Sequence, residues 1–340
     1  MKVLLTGAAG FIGFHLSKRL LNEGCDVIGI DNMNSYYDPN LKKDRLHQLE
    51  LTTKKRGNSW KFIKASLEDW DKISNIFMTY KPTIVINLAA QAGVRYSLEN
   101  PNAYIQSNLV GFGNIIEGSK NSKVEHLIYA SSSSVYGGNK NIPFSENNGV
   151  NHPISLYAAT KRSNELIAHT YSHIYDLPTT GLRFFTVYGP WGRPDMAPMI
   201  FAKSILNKKP IKVFNYGKMK RDFTYIDDIV EGVFRCCFKK ASVNKFFNSF
   251  NPNESSSSAP YRVFNIGNSK PIELLKFIEI LENSLGMKAI KEFHPMQPGD
   301  VKATAADTDL LEQWIDFKPS TSIEIGICKF AKWYLNYYRN

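Results

Sequence analysis

Cysteine is scarce in this chain: four in 340 residues, at positions 25, 236, 237 and 328. Two are adjacent and none forms a CxxC pair, so neither a disulfide framework nor a zinc site is suggested, and a reducing compartment is expected. Long apolar runs are missing too; none approaches the ~18 residues that span a bilayer. Met1-Lys2 leads into a short apolar run and then glycines, too brief for the core of a signal peptide, so a cytoplasmic protein without membrane attachment is expected. Acids are outnumbered, 31 Asp and Glu against 42 Lys and Arg, a net charge of +11. Such a surplus suits an anionic partner, and composition alone does not choose between nucleic acid and a phosphorylated small molecule. What remains is ordinary, 43% hydrophobic with 22 Gly and 16 Pro, which excludes a disordered, collagen-like or coiled-coil chain. At about 150 residues per domain the length suggests two domains, enough to bury most apolar surface without staples.

Short apolar runs at 3–6, 26–30, 60–64, 83–88, 124–130 and 179–186 alternate with amphipathic stretches such as 12–22, 102–119 and 155–174. Strands alternating with helical patterns predict βαβ units, hence an α/β chain with a Rossmann-like, doubly wound parallel sheet. Thr83-Ile-Val-Ile-Asn-Leu88 has the unbroken apolar texture of a strand buried on both faces. After residue 190 prolines crowd the chain. A main boundary near 188 is therefore expected, with a dinucleotide-binding domain over 1–187, joined by parts of 225–240 and 261–268. A smaller α/β substrate domain takes most of 188–340. The run 251–260, with four consecutive serines, reads as a surface loop. Residues 261–266 read as a strand, and 271–285 and 321–337 as helices. No internal repeat is visible.

Gly7-Ala-Ala-Gly10-Phe-Ile-Gly13 follows the first strand and opens a helix. Glycines there permit a tight turn and close approach of backbone to a pyrophosphate, and the helix N-terminus offers N–H groups and a positive dipole end. The spacing is GxxGxxG, not the commoner GxGxxG. The second strand ends in Asp31, 18 residues after Gly13, where a carboxylate can bond the ribose hydroxyls and repel a 2′-phosphate. NAD is therefore expected over NADP. Leu67, Ala89, Ala90 and Gln91, after the third and fourth strands, should lie along the same cleft.

Three YxxxK matches occur, and two enclose glycine. Only Tyr157-Ala-Ala-Thr-Lys161 has helix-friendly residues between its ends, which places both side chains on one helix face. It follows Ser131-Ser-Ser-Ser134 by one loop. A phenol acting as a base near neutral pH must be shifted by about three pKa units, or about 4 kcal/mol. A nearby ammonium and a cationic nicotinamide ring both favour the phenolate. A serine hydroxyl beside it can relay a proton.

Together with Gly7–Gly13, the segments Ser131-Ser-Ser-Ser-Val-Tyr-Gly137, Tyr157-Ala-Ala-Thr-Lys161 and Arg183-Phe-Phe-Thr-Val-Tyr-Gly-Pro190 resemble an extended short-chain dehydrogenase/reductase over nearly the whole chain. A closer resemblance is to UDP-glucuronate 4-epimerases. It lies in Ile30-Asp-Asn-Met-Asn-Ser-Tyr-Tyr-Asp38, Trp191-Gly-Arg-Pro-Asp-Met196, Lys220-Arg-Asp-Phe-Thr-Tyr-Ile-Asp-Asp228 and Met296-Gln-Pro-Gly-Asp-Val301. That resemblance implies Tyr157 as the base for the sugar 4′-hydroxyl. It implies that Lys161 lowers the phenol pKa and holds the nicotinamide ribose, and that Ser132 bonds the reacting oxygen. The hydride leaves C4′ for NAD and returns to the other face of a 4-keto sugar. The resemblance further places Gly7, Gly10, Phe11, Ile12, Gly13, Asp31, Asn32, Asn108 and Phe184 on NAD, Arg221 on the diphosphate, and the chain in a homodimer.

The residue before Val135 discriminates among the relatives. Decarboxylases and dehydratases of this group carry Glu there, whereas this chain has Ser134. Oxidising a uronate at C4′ makes a β-keto acid that loses CO2 unless its carboxylate is held out of alignment. Ser133, Ser134 and Thr186 are the expected donors for that hold, and Arg193 is a candidate sugar contact. Thr186 stands where epimerases of neutral hexoses usually carry Asn. The alternatives are an epimerase of UDP-glucose or UDP-N-acetylglucosamine, a UDP-glucuronate decarboxylase, a catalytically silent NAD-binding sensor and a basic nucleic-acid binder. His169 and His173 lack the Glu of HExxH and a third ligand, so no metal is expected. Lys54-Lys-Arg56 reads as a solvated loop without interleaved aromatics, so no nucleic-acid partner is expected.

Overall fold

Seven of the strands line up side by side in one direction, and those in the middle of the row have no wet face. A computed structural model describes residues 1–56 (without the side chains of 54–56), 59–297 and 300–338. Its strands are β1 Lys2–Thr6, β2 Asp26–Asp31, β3 Trp60–Lys64, β4 Ile84–Asn87, β5 His126–Ser132, β6 Thr179–Phe184, β7 Thr186–Tyr188, β8 Ile211–Val213, β9 Lys220–Tyr225, β10 Tyr261–Ile266, β11 Pro271–Glu273 and β12 Lys291–Phe293. The main sheet runs β10-β6-β5-β4-β1-β2-β3, and every pairing in it is parallel. Every residue of β4 and β6 is buried, as helices on both faces require. This is the doubly wound α/β fold expected from the sequence. A three-stranded sheet, β11-β9-β7, and a two-stranded one, β12-β8, stand beyond its carboxyl ends.

The order reverses between β1 and β4: from β1 the chain winds to β2 and β3, then crosses to β4 and winds the other way. A crevice opens at such a reversal, outside the carboxyl ends of the strands. The helix that brings in Tyr157 runs Leu156–Tyr175. Ser155 caps it by accepting from the Ala158 N–H at 3.1 Å, and Asp176, left-handed at φ 52°, ends it.

Several expectations need correction. The amphipathic stretch 102–119 is not one regular helix. It divides into Pro101–Tyr104, a π-helical turn Ile105–Val110 and Gly111–Asn121. The stretch 271–285 is helical only from Leu274, because Pro271–Glu273 pairs with β9. The fifth strand continues to Ser132 in register with Phe184, so the serine run begins inside the sheet. The run 251–260 is not simply a surface loop. Ser255, Ser256 and Ser257 are buried, with Ser255 Oγ donating to Asn253, Ser256 accepting from Asn244 and Ser257 meeting His169. Buried hydroxyls are tolerated when bonded in this way. Lys54–Arg56 ends the helix Pro39–Arg56 rather than forming a loop, and its side chains lie outside the described residues. Within Met296–Val301, residues 298 and 299 lie wholly outside the described residues.

Behind β5 and β6 sits an ion pair without solvent exposure. Arg183 donates from Nε and Nη2 to the two oxygens of Glu165 at 2.8 and 2.9 Å. Burial raises the Glu165 carboxyl pKa, but Arg183, Ser131 and Arg162 more than reverse this and hold it below the usual value. Removing one partner of such a pair costs about 3–5 kcal/mol. Glu165→Gln should therefore lose stability of that order in urea titration at pH 7. Because the folded pKa is depressed, the loss relative to wild type should shrink as pH falls below the usual carboxylate value.

Candidate active site

The glycine loop works by closeness. Gly7 sits at φ 72°, and a Cβ there would meet the Ala89 backbone nitrogen at 2.8 Å, so the β1 and β4 turns touch across the crevice. A Cβ on Gly13 would lie 2.1 Å from the Gly7 carbonyl oxygen. The helix Phe11–Asn22 begins at Gly10 with no side-chain cap, which leaves its first N–H groups for a ligand. Those N–H groups and the bare cradle fit a dinucleotide pyrophosphate, without any side chain in the way. The cleft measures about 1190 Å³ and is lined by Gly7, Gly10, Phe11, Ile12, Gly13, Asp31, Asn32, Leu67, Ala89, Ala90, Gln91 and Phe184 from the expected cofactor set.

At the end of β2, Asp31 accepts from the Met33 N–H at 2.8 Å and faces Lys42 Nζ at 3.7 Å. Lys42 also donates to Asn34, and burial lowers its pKa. Asn108 is the exception among the expected cofactor contacts. It does not line the cleft, since its side chain faces the backbone of Gln91, accepting from the N–H at 2.8 Å and donating to the carbonyl at 3.0 Å. Its amide also donates to Thr160. The π-helical turn carries this brace, so Asn108 shapes the loop after β4 from behind.

Ser132, Tyr157 and Lys161 come together where β5 meets the helix Leu156–Tyr175. Ser132 Oγ accepts from the Ser134 N–H at 3.1 Å and also bonds Tyr157. Burial pushes the Tyr157 phenol up, while the Ser132 bond and the Arg193 charge pull it down. Lys161 is buried and donates to the Ala130 carbonyl at 2.9 Å, and desolvation takes its pKa down to about 8. Arg193 thus adds a second positive charge that favours the Tyr157 phenolate. Arg193 donates from Nε and Nη2 to Asp195, which also accepts from the Tyr36 hydroxyl at 3.1 Å. Burial works against the Arg193 charge, and Asp195 more than offsets it.

Ser133, Ser134, Thr186, Arg193 and Arg221 all line the same cleft. Ser133 and Ser134 lie in a 3₁₀ turn, Ser133–Tyr136. Arg221 donates to the Lys220 and Lys302 carbonyls, and burial lowers its pKa while Asp300 raises it. His169 and His173 stack with ring centroids 6.2 Å apart away from this cleft. Sequence reasoning missed Tyr36, Lys42 and Asp195, which line the cleft, and Tyr104, which packs against one of its lining residues. Tyr104 packs its ring against Tyr157 at 6.1 Å. Lys42 shares a helix face with Leu41, Leu46 and Leu49, all buried, and that spacing was the available signal.

A sheet of this order, with a bare glycine turn at its reversal and Ser132, Tyr157 and Lys161 gathered beside it, defines an extended short-chain dehydrogenase/reductase. Residues 3–267 match the NAD dependent epimerase/dehydratase family, and the chain belongs to it. It is 55% identical to Protein CapI of Staphylococcus aureus over 339 residues, covering 100% of both chains. It is 48% identical to the probable UDP-glucuronate 4-epimerase of Rhizobium meliloti (strain 1021), covering 100% of this chain and 98% of that protein. The Bacillus cereus UDP-glucuronic acid 4-epimerase, solved with UDP-glucuronic acid and NAD, superposes with a TM-score of 0.86 at 33% identity. The match covers 99% of this chain and 100% of that one. Gly13→Ala forces a methyl group against the Gly7 carbonyl. The purified variant should have lost most of the nucleotide that acid extraction releases from the wild type, read by absorbance at 260 nm.

Proposed function

We propose that the protein interconverts UDP-glucuronate and UDP-galacturonate by NAD-dependent epimerisation at C4′ of the sugar. The observation that carries this reading is the wall facing Tyr157. Ser133, Ser134 and Thr186 line the cleft around it with neutral hydroxyls, the turn after β5 holds no carboxylate, and the Arg193 charge reaches the same phenol. Neutral donors with a guanidinium suit an anionic sugar.

NAD, when bound, supplies reversible hydride exchange with C4′. Tyr157 takes the 4′-hydroxyl proton as a phenolate, and Ser132, already bonded to that phenol, steadies the same oxygen. Lys161, one helical turn from Tyr157, favours the phenolate by its charge and holds the nicotinamide ribose. Arg221 is assigned to the diphosphate, whose charge it complements. The 4-keto sugar is a β-keto acid. It loses CO2 only when the breaking C–C bond aligns with the carbonyl π system. Ser133, Ser134 and Thr186, donating to the carboxylate, hold it out of that alignment. Once the ketone has turned over and been reduced on its other face, Tyr157 returns the proton to the inverted oxygen. Thr186, where neutral-sugar epimerases usually carry Asn, favours the uronate over UDP-glucose.

Two outcomes test the reading. Tyr157→Phe should keep its NAD and lose turnover of UDP-glucuronate by about 10²–10⁴-fold, followed by NMR of the sugar protons; unchanged turnover would remove Tyr157 as the base. Replacing Ser134 and Thr186 together by Ala should release UDP-pentose and CO2 alongside UDP-galacturonate. A clean product with unweakened uronate binding would sink the carboxylate hold.

A further inference from the structure

Three consecutive carbonyls lead the chain to Arg193, and side chains from the glycine-loop side of the cleft hold all three. His15, on the helix Phe11–Asn22, meets the Pro190 carbonyl through Nε2 at 2.9 Å. Arg45, on the helix Pro39–Arg56, donates from Nη2 to the carbonyls of Trp191 at 2.6 Å and Gly192 at 3.2 Å. Its Nη1 donates to the Ala9 carbonyl, inside the glycine loop, and to the Tyr37 hydroxyl, both at 2.8 Å. Arg45 has no solvent exposure, and none of these four acceptors is a carboxylate.

A buried guanidinium without a carboxylate is expensive, whereas its planar fork can fix several carbonyls at once. The turn it fixes is strained, with Trp191 at φ 59°, a conformation that surrounding contacts must impose. Burial takes His15 down to about 3, so the ring is neutral and its Nε2 carries the proton that the Pro190 carbonyl accepts. One residue past this turn, Arg193 is clamped to Asp195 and faces Tyr157. We infer that Arg45, assisted by His15, is a positioning residue for the reaction: it sets the aim of Arg193 and with it the preference for an anionic sugar ring. It does so from a fixed point on the glycine loop.

The inference rests on the uronate reading, and calorimetry on the NAD-loaded enzyme separates the two. Arg45→Lys keeps the charge and loses the fork. It should weaken UDP-glucuronate by about tenfold and leave UDP, which has no sugar carboxylate, nearly unchanged, with bound NAD retained. In the cycle with Arg193→Ala the second substitution should add little, because Arg45 acts through Arg193. His15→Ala should move the same ratio in the same direction, and His15→Gln, which keeps an N–H donor, should restore it. Should Arg45→Lys fail to fold, the His15 pair decides alone. Equal weakening of UDP and UDP-glucuronate, or additive losses in the cycle, would overturn the positioning role. Wild-type enzyme that leaves UDP-glucuronate unchanged would overturn the uronate reading and this inference with it. Turnover with an unmoved ratio in the Arg45 and His15 variants would overturn this inference alone.

Discussion

Glu165 and Arg183 meet in a pocket that water does not reach, and Ser132 and Tyr157 take their positions from that contact. The carboxylate stands on the helix Leu156–Tyr175 two turns beyond Tyr157, and the guanidinium on β6. Ser131 donates to the same carboxylate at 2.6 Å. Arg183 reaches the Tyr136 hydroxyl, which donates to Asn265 on β10. Successive strand residues point to opposite faces, so with Ser131 turned into this network Ser132 is turned toward Tyr157. Helix, strand and following turn are thus locked in one register. A slip in any of them would strand a charge out of water, at a cost of several kcal/mol.

The cleft concentrates the positive charge that composition showed only in sum. Lys42 stands by Asp31, Lys161 behind the phenol, Arg193 on the facing wall and Arg221 at the far end. Each is partly or wholly desolvated, so each acts through a medium less screening than water. Their partners here are carbonyls and single carboxylates, which leaves cationic capacity for an anionic ligand.

The fold was legible because parallel strands buried on both faces write themselves as unbroken apolar runs. The glycine turn was legible because only glycine tolerates the approach of Gly13 to the Gly7 carbonyl. Tyr157 and Lys161 could be separated from two similar pairs by helix-friendly spacing. Less visible was anything carried by tertiary contact. Asn108 has the polarity of a ligand contact, and only the π-helical turn shows that it is spent on Gln91. Arg45 sits among Lys42, Lys43 and Asp44, and its burial follows from the shape of a loop nearly 150 residues away. The serines near 256 look solvent-bound until His169 and Asn244 are seen to satisfy them.

One buried cluster runs beneath both walls of the cleft. It joins Val3 and Leu5 of β1 to Phe223 of β9 and to Phe277, Phe330 and Tyr334 on the later helices. Walls that share a core form a mould rather than a jaw, since parting them would open a packed interior. Traffic must then pass the more exposed side chains of the lining, such as Arg95, which pairs with Asp300 at 3.1 Å. Such side chains move far faster than domains. A ligand can therefore come and go at the pace of side-chain rearrangement while the glycine cradle beneath keeps its cast.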